Sequence, residues 1–104
     1  MVKVKFKSDP HFYIKEKSGI KNNTVRIYDK FSEVDEKDER FTILKQKYKK
    51  QLENENKLPD DEELYIEIVK ASSGESFIRK IRDITIFENN FEMIFIITWE
   101  HEEV

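Results

Sequence analysis

Residues 2–7 alternate without exception, with Val2, Val4 and Phe6 on one side and Lys3, Lys5 and Lys7 on the other, the two-residue period of a half-buried strand. Ser8, Asp9 and Pro10 then offer capping side chains and a first-turn proline, and Gly19 follows Ser18 as a stop. This spacing predicts a short helix over 10–17. Phe12 and Tyr13, with Glu16 and Lys17 one turn later, give that helix a narrow apolar face. A second strand is expected over 24–28, with Val25 and Ile27 facing one way and Thr24, Arg26 and Tyr28 the other.

The stretch 29–40 is acidic and aperiodic. Phe41, Leu44, Tyr48 and Leu52 then recur at intervals of three and four, which predicts a helix over 38–53 with those four residues on its buried side. It should end within 54–61, where Pro59 and the pair Asp60 and Asp61 break it. Alternation returns over 64–70, a turn is expected at 72–75, and 77–87 reads as a strand long enough to bend. After a turn at 88–90, the strand over 91–99 is apolar at nearly every position from Met93 to Ile97, so a central place covered on both faces is expected. This order predicts one α+β domain over 1–104: a small, mostly antiparallel sheet or partly closed barrel with two helices. Its expected core contains Phe6, Val25, Ile27, Ile66, Ile68, Ile81, Ile84, Phe95 and Ile97.

Charged side chains make up 39% of the 104 residues, yet Leu, Ile, Val and Phe together supply 31, above the level of disordered chains, so a core can form. The absence of Cys excludes disulfides and thiol chemistry. With no apolar run near 18 residues and no signal-peptide core at the start, the chain reads as a soluble cytoplasmic protein without a membrane partner. The net charge of −3 conceals a gradient: residues 1–28 carry seven Lys and Arg against two acids, whereas 88–104 carry five acids and no Lys or Arg. An anion-binding surface is therefore expected in the first quarter. His11 and His101 lie far apart and no metal-ligand spacing occurs, so neither metal nor cofactor is expected. Lys45, Lys47, Lys49 and Lys50 spread around their helix as a solvated face, and Tyr13, Tyr28, Tyr65 and Trp99 are candidate stacking groups that strands more often bury.

Chemistry concentrates in the stretch 18–26. Gly19 permits a positive φ and close backbone approach, and Lys21 leaves the turn. Thr24 and Arg26, two apart on a strand, share a face. An amine, a hydroxyl and a guanidinium converging on one concavity suit a carboxylate, a phosphate or the carbonyl edge of a base. The same groups suit a nucleophilic site in which a neutral Lys21 takes the proton of Thr24.

The spacing Gly-x-Lys-x-x-Thr-x-Arg, read at Gly19, Lys21, Thr24 and Arg26, resembles the signature of the ASCH domains of the PUA-like superfamily. The preceding helix, and the turn Ser73, Gly74, Glu75 followed by a long strand, also look like that family, especially its short phage-associated members of unknown function. The resemblance implies a small β-barrel and a cleft lined by Gly19, Lys21, Thr24 and Arg26 that binds RNA or a modified nucleotide or nucleoside. Some ASCH proteins are amidohydrolases that deacetylate N4-acetylcytidine using the motif Lys and Thr and a downstream Glu. That would give Lys21 and Thr24 catalytic roles, with Glu75 or Glu67 as the glutamate. A third expectation is a phage protein that captures a host protein through the 29–40 loop and the acidic tail.

Overall fold

Turn and cap residues set the elements close to their expected places. The structure is a computed structural model that describes residues 2–102. Strand β1 (Val2–Ser8) leads into helix α1 (Pro10–Ser18), whose cap is Asp9 accepting from the His11 N–H at 2.9 Å, and which stops at Gly19 with φ 88°. Strand β2 (Asn23–Asp29) follows. The stretch expected to be aperiodic contains a four-residue helix, α2 (Glu33–Glu36), because Ser32 caps it by accepting from the Asp35 N–H. Helix α3 (Glu39–Glu53) begins at the Asp38 cap, and strands β3 (Leu64–Lys70), β4 (Ser76–Glu88) and β5 (Glu92–Trp99) complete the order.

The strands form one sheet in the order β1-β3-β4-β5-β2. Three neighbouring pairs are antiparallel, and β1 with β3 is parallel, reached by a crossover that contains α1, β2, α2 and α3. The sheet curls into a half-barrel and does not close: β1 and β2 remain edges, which corrects the expectation of a barrel at the point where closure would occur. Strand β5 is interior, between β4 and β2.

One face of the curled sheet builds the core with Val4, Phe6, Leu64, Ile66, Ile68, Phe77, Ile81, Ile84, Phe95, Ile97 and Trp99, and the helices add Tyr13, Phe41 and Leu44. Phe41 contacts Phe6, Tyr28 and Phe95, with ring centroids 6.2, 5.3 and 5.0 Å apart, so α3 plugs the hollow of the half-barrel. Thr24 is the β2 residue buried on this face. Val25 and Ile27, expected in the core, instead point outward and are 51% and 57% exposed, because the alternation of β2 has the opposite sense. Ile94 and Ile96 on the same outer face are half-buried, so β5 is covered on one side only.

Helix α3 also departs from its expected face: Leu52 is exposed and Gln51 is buried. Strand β3 pairs with β4 over Ser76 to Lys80, and β4 runs on beyond it, bending at an irregularity between Ile81 and Asp83. Gln51 replaces the missing strand there. Its Oε1 accepts from the Ile84 N–H at 2.9 Å, and its Nε2 donates to the Ile84 carbonyl at 2.9 Å and contacts Asp83 Oδ1 at 2.9 Å. A side-chain amide thus copies the two hydrogen bonds of a paired strand residue.

Arg26 and Arg40 approach the Phe6 ring, with guanidinium carbons 4.8 and 4.3 Å from its centroid. Arg40 Nη1 donates to the Lys5 carbonyl at 2.7 Å, and Arg40 binds the Asp38 carboxylate through Nε and Nη2. That hydrogen bonding holds Asp38 below its usual carboxylate range despite an opposing desolvation.

Two predictions follow from these contacts. Gln51→Leu keeps the volume and leaves the Ile84 N–H and carbonyl without partners, so it should lower unfolding free energy by roughly 1 to 3 kcal/mol in urea titration. Because the folded pKa of Asp38 is depressed, its contribution is complete above the unfolded value of about 3.9 and is lost as pH falls through the lower folded value. Thermal unfolding followed from pH 5 downward should therefore fall less steeply in Asp38→Asn, which keeps the α3 cap.

Candidate functional site

The turn after α1 brings the first two strands and the helix to one cleft. Gly19 adopts a left-handed conformation in which a Cβ would lie 2.5 Å from the His101 ring, so both φ and space require glycine there. The turn closes with the Lys21 N–H donating to the Lys15 carbonyl at 3.0 Å. Lys21 then stands beside the cleft, and Thr24 and Arg26 reach it from the inner face of β2. The cleft holds about 290 Å³ and is lined by Ser8, Phe12, Glu16, Lys21, Thr24 and Arg26 among others.

A directed chain of hydrogen bonds fixes its polar groups. Arg26 Nε donates to Thr24 Oγ1 at 3.1 Å, and Arg26 Nη2 donates to Ser8 Oγ at 3.3 Å. Ser8 Oγ in turn donates to Glu16 Oε1 at 2.7 Å. Glu16 is 0% exposed, and its second oxygen, Oε2, lies 3.6 Å from the Lys21 amine without a hydrogen bond. Burial pushes the Arg26 guanidinium below its usual range, with Glu16 pulling it back up and Arg40 adding to the depression. Lys21 also sits 5.2 Å from the centroid of Phe12, a ring 49% exposed at the rim.

The fold therefore brings Lys21, Thr24 and Arg26 to one cleft, whereas Gly19 shapes the turn against His101 and does not line it, and a carboxylate is supplied from an unexpected direction. Glu75, expected as the downstream glutamate, sits in the β3–β4 turn, where it accepts from Ser73 Oγ at 3.2 Å and pairs with Lys70 at 3.9 Å. Glu67 projects from the other side of β3 and pairs with Lys3 at 2.8 Å. Neither lines the cleft; Glu16 does. The sequence signal for Glu16 was its place three residues after Tyr13, on the side of α1 that the sheet buries. Phe12 was likewise read only as part of an apolar face. Tyr13 and Trp99 are buried and form no stacking platform, and the tract on α3 is tied down where Lys47 and Lys50 pair with Glu62 and Lys45 lies over Tyr28.

No hydrogen bond joins Lys21 to Thr24 among the described residues; the threonine oxygen is occupied by Arg26. Thr24 retains its own proton as a donor. The resting cleft thus holds the donors Lys21, Thr24 and Arg26 with a buried acceptor, Glu16, and an exposed one, Asp9. Among the described residues no His, Asp and Glu cluster has metal-site geometry, and no helix is long and apolar enough to cross a membrane.

Glu16→Ala should lower stability by roughly 1 to 3 kcal/mol in denaturant titration, because it leaves the Ser8 hydroxyl without its acceptor and removes the carboxylate that offsets the buried Arg26 charge. No family model matches the chain, and no curated protein or solved structure gives a significant match, so the atoms of the cleft carry the functional case.

Proposed function

We infer that the cleft binds a nucleobase, as a modified nucleoside or as a nucleotide within RNA. The observation that carries this reading is the buried Glu16 Oε2, an acceptor without a hydrogen bond in a cleft that also holds the donors Lys21, Thr24 and Arg26, with Asp9 as a second, exposed carboxylate. A buried acceptor of that kind calls for a ligand N–H. A base edge offers the matching pair, an exocyclic amine for Glu16 and a ring carbonyl for Lys21, Arg26 or Thr24. Phe12 at the rim gives such a base a ring to lie against. A phosphodiester has no O–H or N–H to offer Glu16, and a net charge of −3 disfavours broad phosphate-dominated binding.

The position of Glu16 beside Lys21 favours a second reading, hydrolysis of an acylated exocyclic amine such as that of N4-acetylcytidine. Thr24 would attack the acyl carbon as its proton passes to Lys21, Lys21 would hand that proton to the departing base amine held by Glu16, and water would then cleave the acyl-threonine ester to release the acid. That reaction needs Lys21 to turn toward Thr24, displacing the Arg26 contact.

Calorimetric titration with cytidine, uridine, N4-acetylcytidine and short RNAs separates these outcomes. Cytidine-type bases should bind, and Arg26→Ala should weaken them about tenfold or more. Glu16→Gln, whose amide can donate as well as accept, should shift preference toward uridine. An unchanged affinity in Arg26→Ala overturns the binding reading. Acetate release from N4-acetylcytidine that is lost in both Thr24→Ala and Lys21→Ala establishes the second.

A further inference from the structure

The half-barrel ends in two free edges, β1 and β2, which run antiparallel to each other along a groove of about 1010 Å³. In β2, the Lys30 N–H donates to the Phe91 carbonyl and the Asn22 carbonyl accepts from the Trp99 N–H, so even-numbered residues bond toward β5. Val25 and Ile27 therefore turn their amide groups to the groove. Asp29 obeys the same alternation, its N–H being taken by Asp35 Oδ2 at 2.8 Å. In β1, Val2 and Ser8 bond toward β3 and its extension, through the Glu63 carbonyl and the Ala71 N–H, so Lys5 and Lys7 face the groove. The Lys5 carbonyl is met there by Arg40 at 2.7 Å. Two rows of strand amides thus flank one space without pairing to each other.

The groove is floored by Phe6 and Phe41, with Arg26 and Arg40 beside them, and Lys5 and Lys7 stand on its β1 side. Asp35 is the one carboxylate among the residues that line it. In a protein of net charge −3 this is a concentrated cationic surface.

We propose that this groove takes one extended segment of an acidic protein partner as a sixth strand. The segment's backbone pairs with the Lys5 N–H and with Lys7 on one side, the Lys5 carbonyl staying with Arg40, and with Val25 and Ile27 on the other, at the ordinary strand separation of about 4.8 Å. Alternate side chains then divide by face: apolar ones pack on Phe6 and Phe41, and acidic ones lie over Lys5 and Lys7. The amide rows decide between classes of partner, because a nucleic acid strand would satisfy the cations and leave the Val25 and Ile27 amides unmatched. This inference goes beyond base binding: the groove shares Lys7, Val25 and Arg26 with the Glu16 cleft, but Lys5, Ile27 and Arg40 lie outside that cleft.

The test is a nuclear magnetic resonance titration of the full chain with an N-acetylated, C-amidated hexapeptide alternating Glu and Val. Saturable shifts and slowed amide exchange should appear at Lys7, Val25 and Ile27. Lys5→Glu, a change at an exposed residue outside the base cleft, should weaken binding about tenfold or more. A peptide N-methylated at every second residue, unable to pair with one of the two edges, should lose binding. Equal affinity of the methylated peptide, or the absence of saturable shifts at those amides, overturns the proposal. A single-stranded oligouridylate of equal charge that binds the same amides more tightly than the peptide also overturns it and assigns the groove to nucleic acid.

Discussion

Phe6 between two guanidinium groups is the contact on which the arrangement turns. Strands β1 and β2 do not exchange backbone hydrogen bonds, and the space between them is crossed instead by arginine side chains. Arg26 crosses from β2 to Ser8 at the end of β1, and Arg40 crosses from α3 to the Lys5 carbonyl. Both use the face of Phe6, whose other contacts tie it to Phe41 and the core. A closed barrel would leave no room for these groups; an open one without them would expose the core along its seam. The Glu16 cleft and the long groove are two parts of this seam, and both are lined by Arg26, Lys7 and Val25.

Within the cleft, burial sets the chemistry. A carboxylate with no solvent exposure is costly unless it is met by donors, and Glu16 receives Ser8 fully and Lys21 at a longer distance. Arg26 reaches Glu16 through Ser8 and not directly, so its charge is only partly balanced there. The guanidinium therefore remains oriented by Thr24 and Ser8 while its charge stays available to a ligand. This is a preorganised donor set beside a buried carboxylate whose second oxygen is without a hydrogen bond.

Local periodicity made most elements legible. The strict alternation of β1, the cap and stop of α1 and the three- and four-residue spacing before Tyr48 all describe structures whose neighbours agree with them. Periodicity failed where an alternating strand carries apolar residues on both candidate faces or where a polar residue has a backbone to serve. In β2 the hydrophobic choice was Val25 and Ile27, but the core side is taken by Thr24 and Arg26 because these residues build the cleft. In α3 Gln51 outranks Leu52 because Ile84 lacks a strand partner at the bend of β4, a need that only tertiary structure creates. The motif residues Gly19, Lys21, Thr24 and Arg26 were legible because they lie within eight positions of one turn. Glu75 was a choice by order along the chain, whereas the carboxylate comes from before the motif, since α1 folds back across the ends of β1 and β2.

The same topology explains how a net acidic chain acquires a cationic seam. The first 28 residues hold seven Lys and Arg, and they form β1, α1 and most of β2, whose two strands are the free edges of the sheet. Because the crossover from β1 to β3 encloses β2, the sheet grows inward from its ends, and the earliest strands finish farthest apart in order yet face each other across the curl. A charge gradient along the chain thereby becomes a charge gradient in space. Lysines on the outward side of β1 guard that edge against uncontrolled pairing, while the outward side of β2 carries Val25 and Ile27 and has no such guard. The open edge without charges of its own therefore lies across the curl from the lysines of the other.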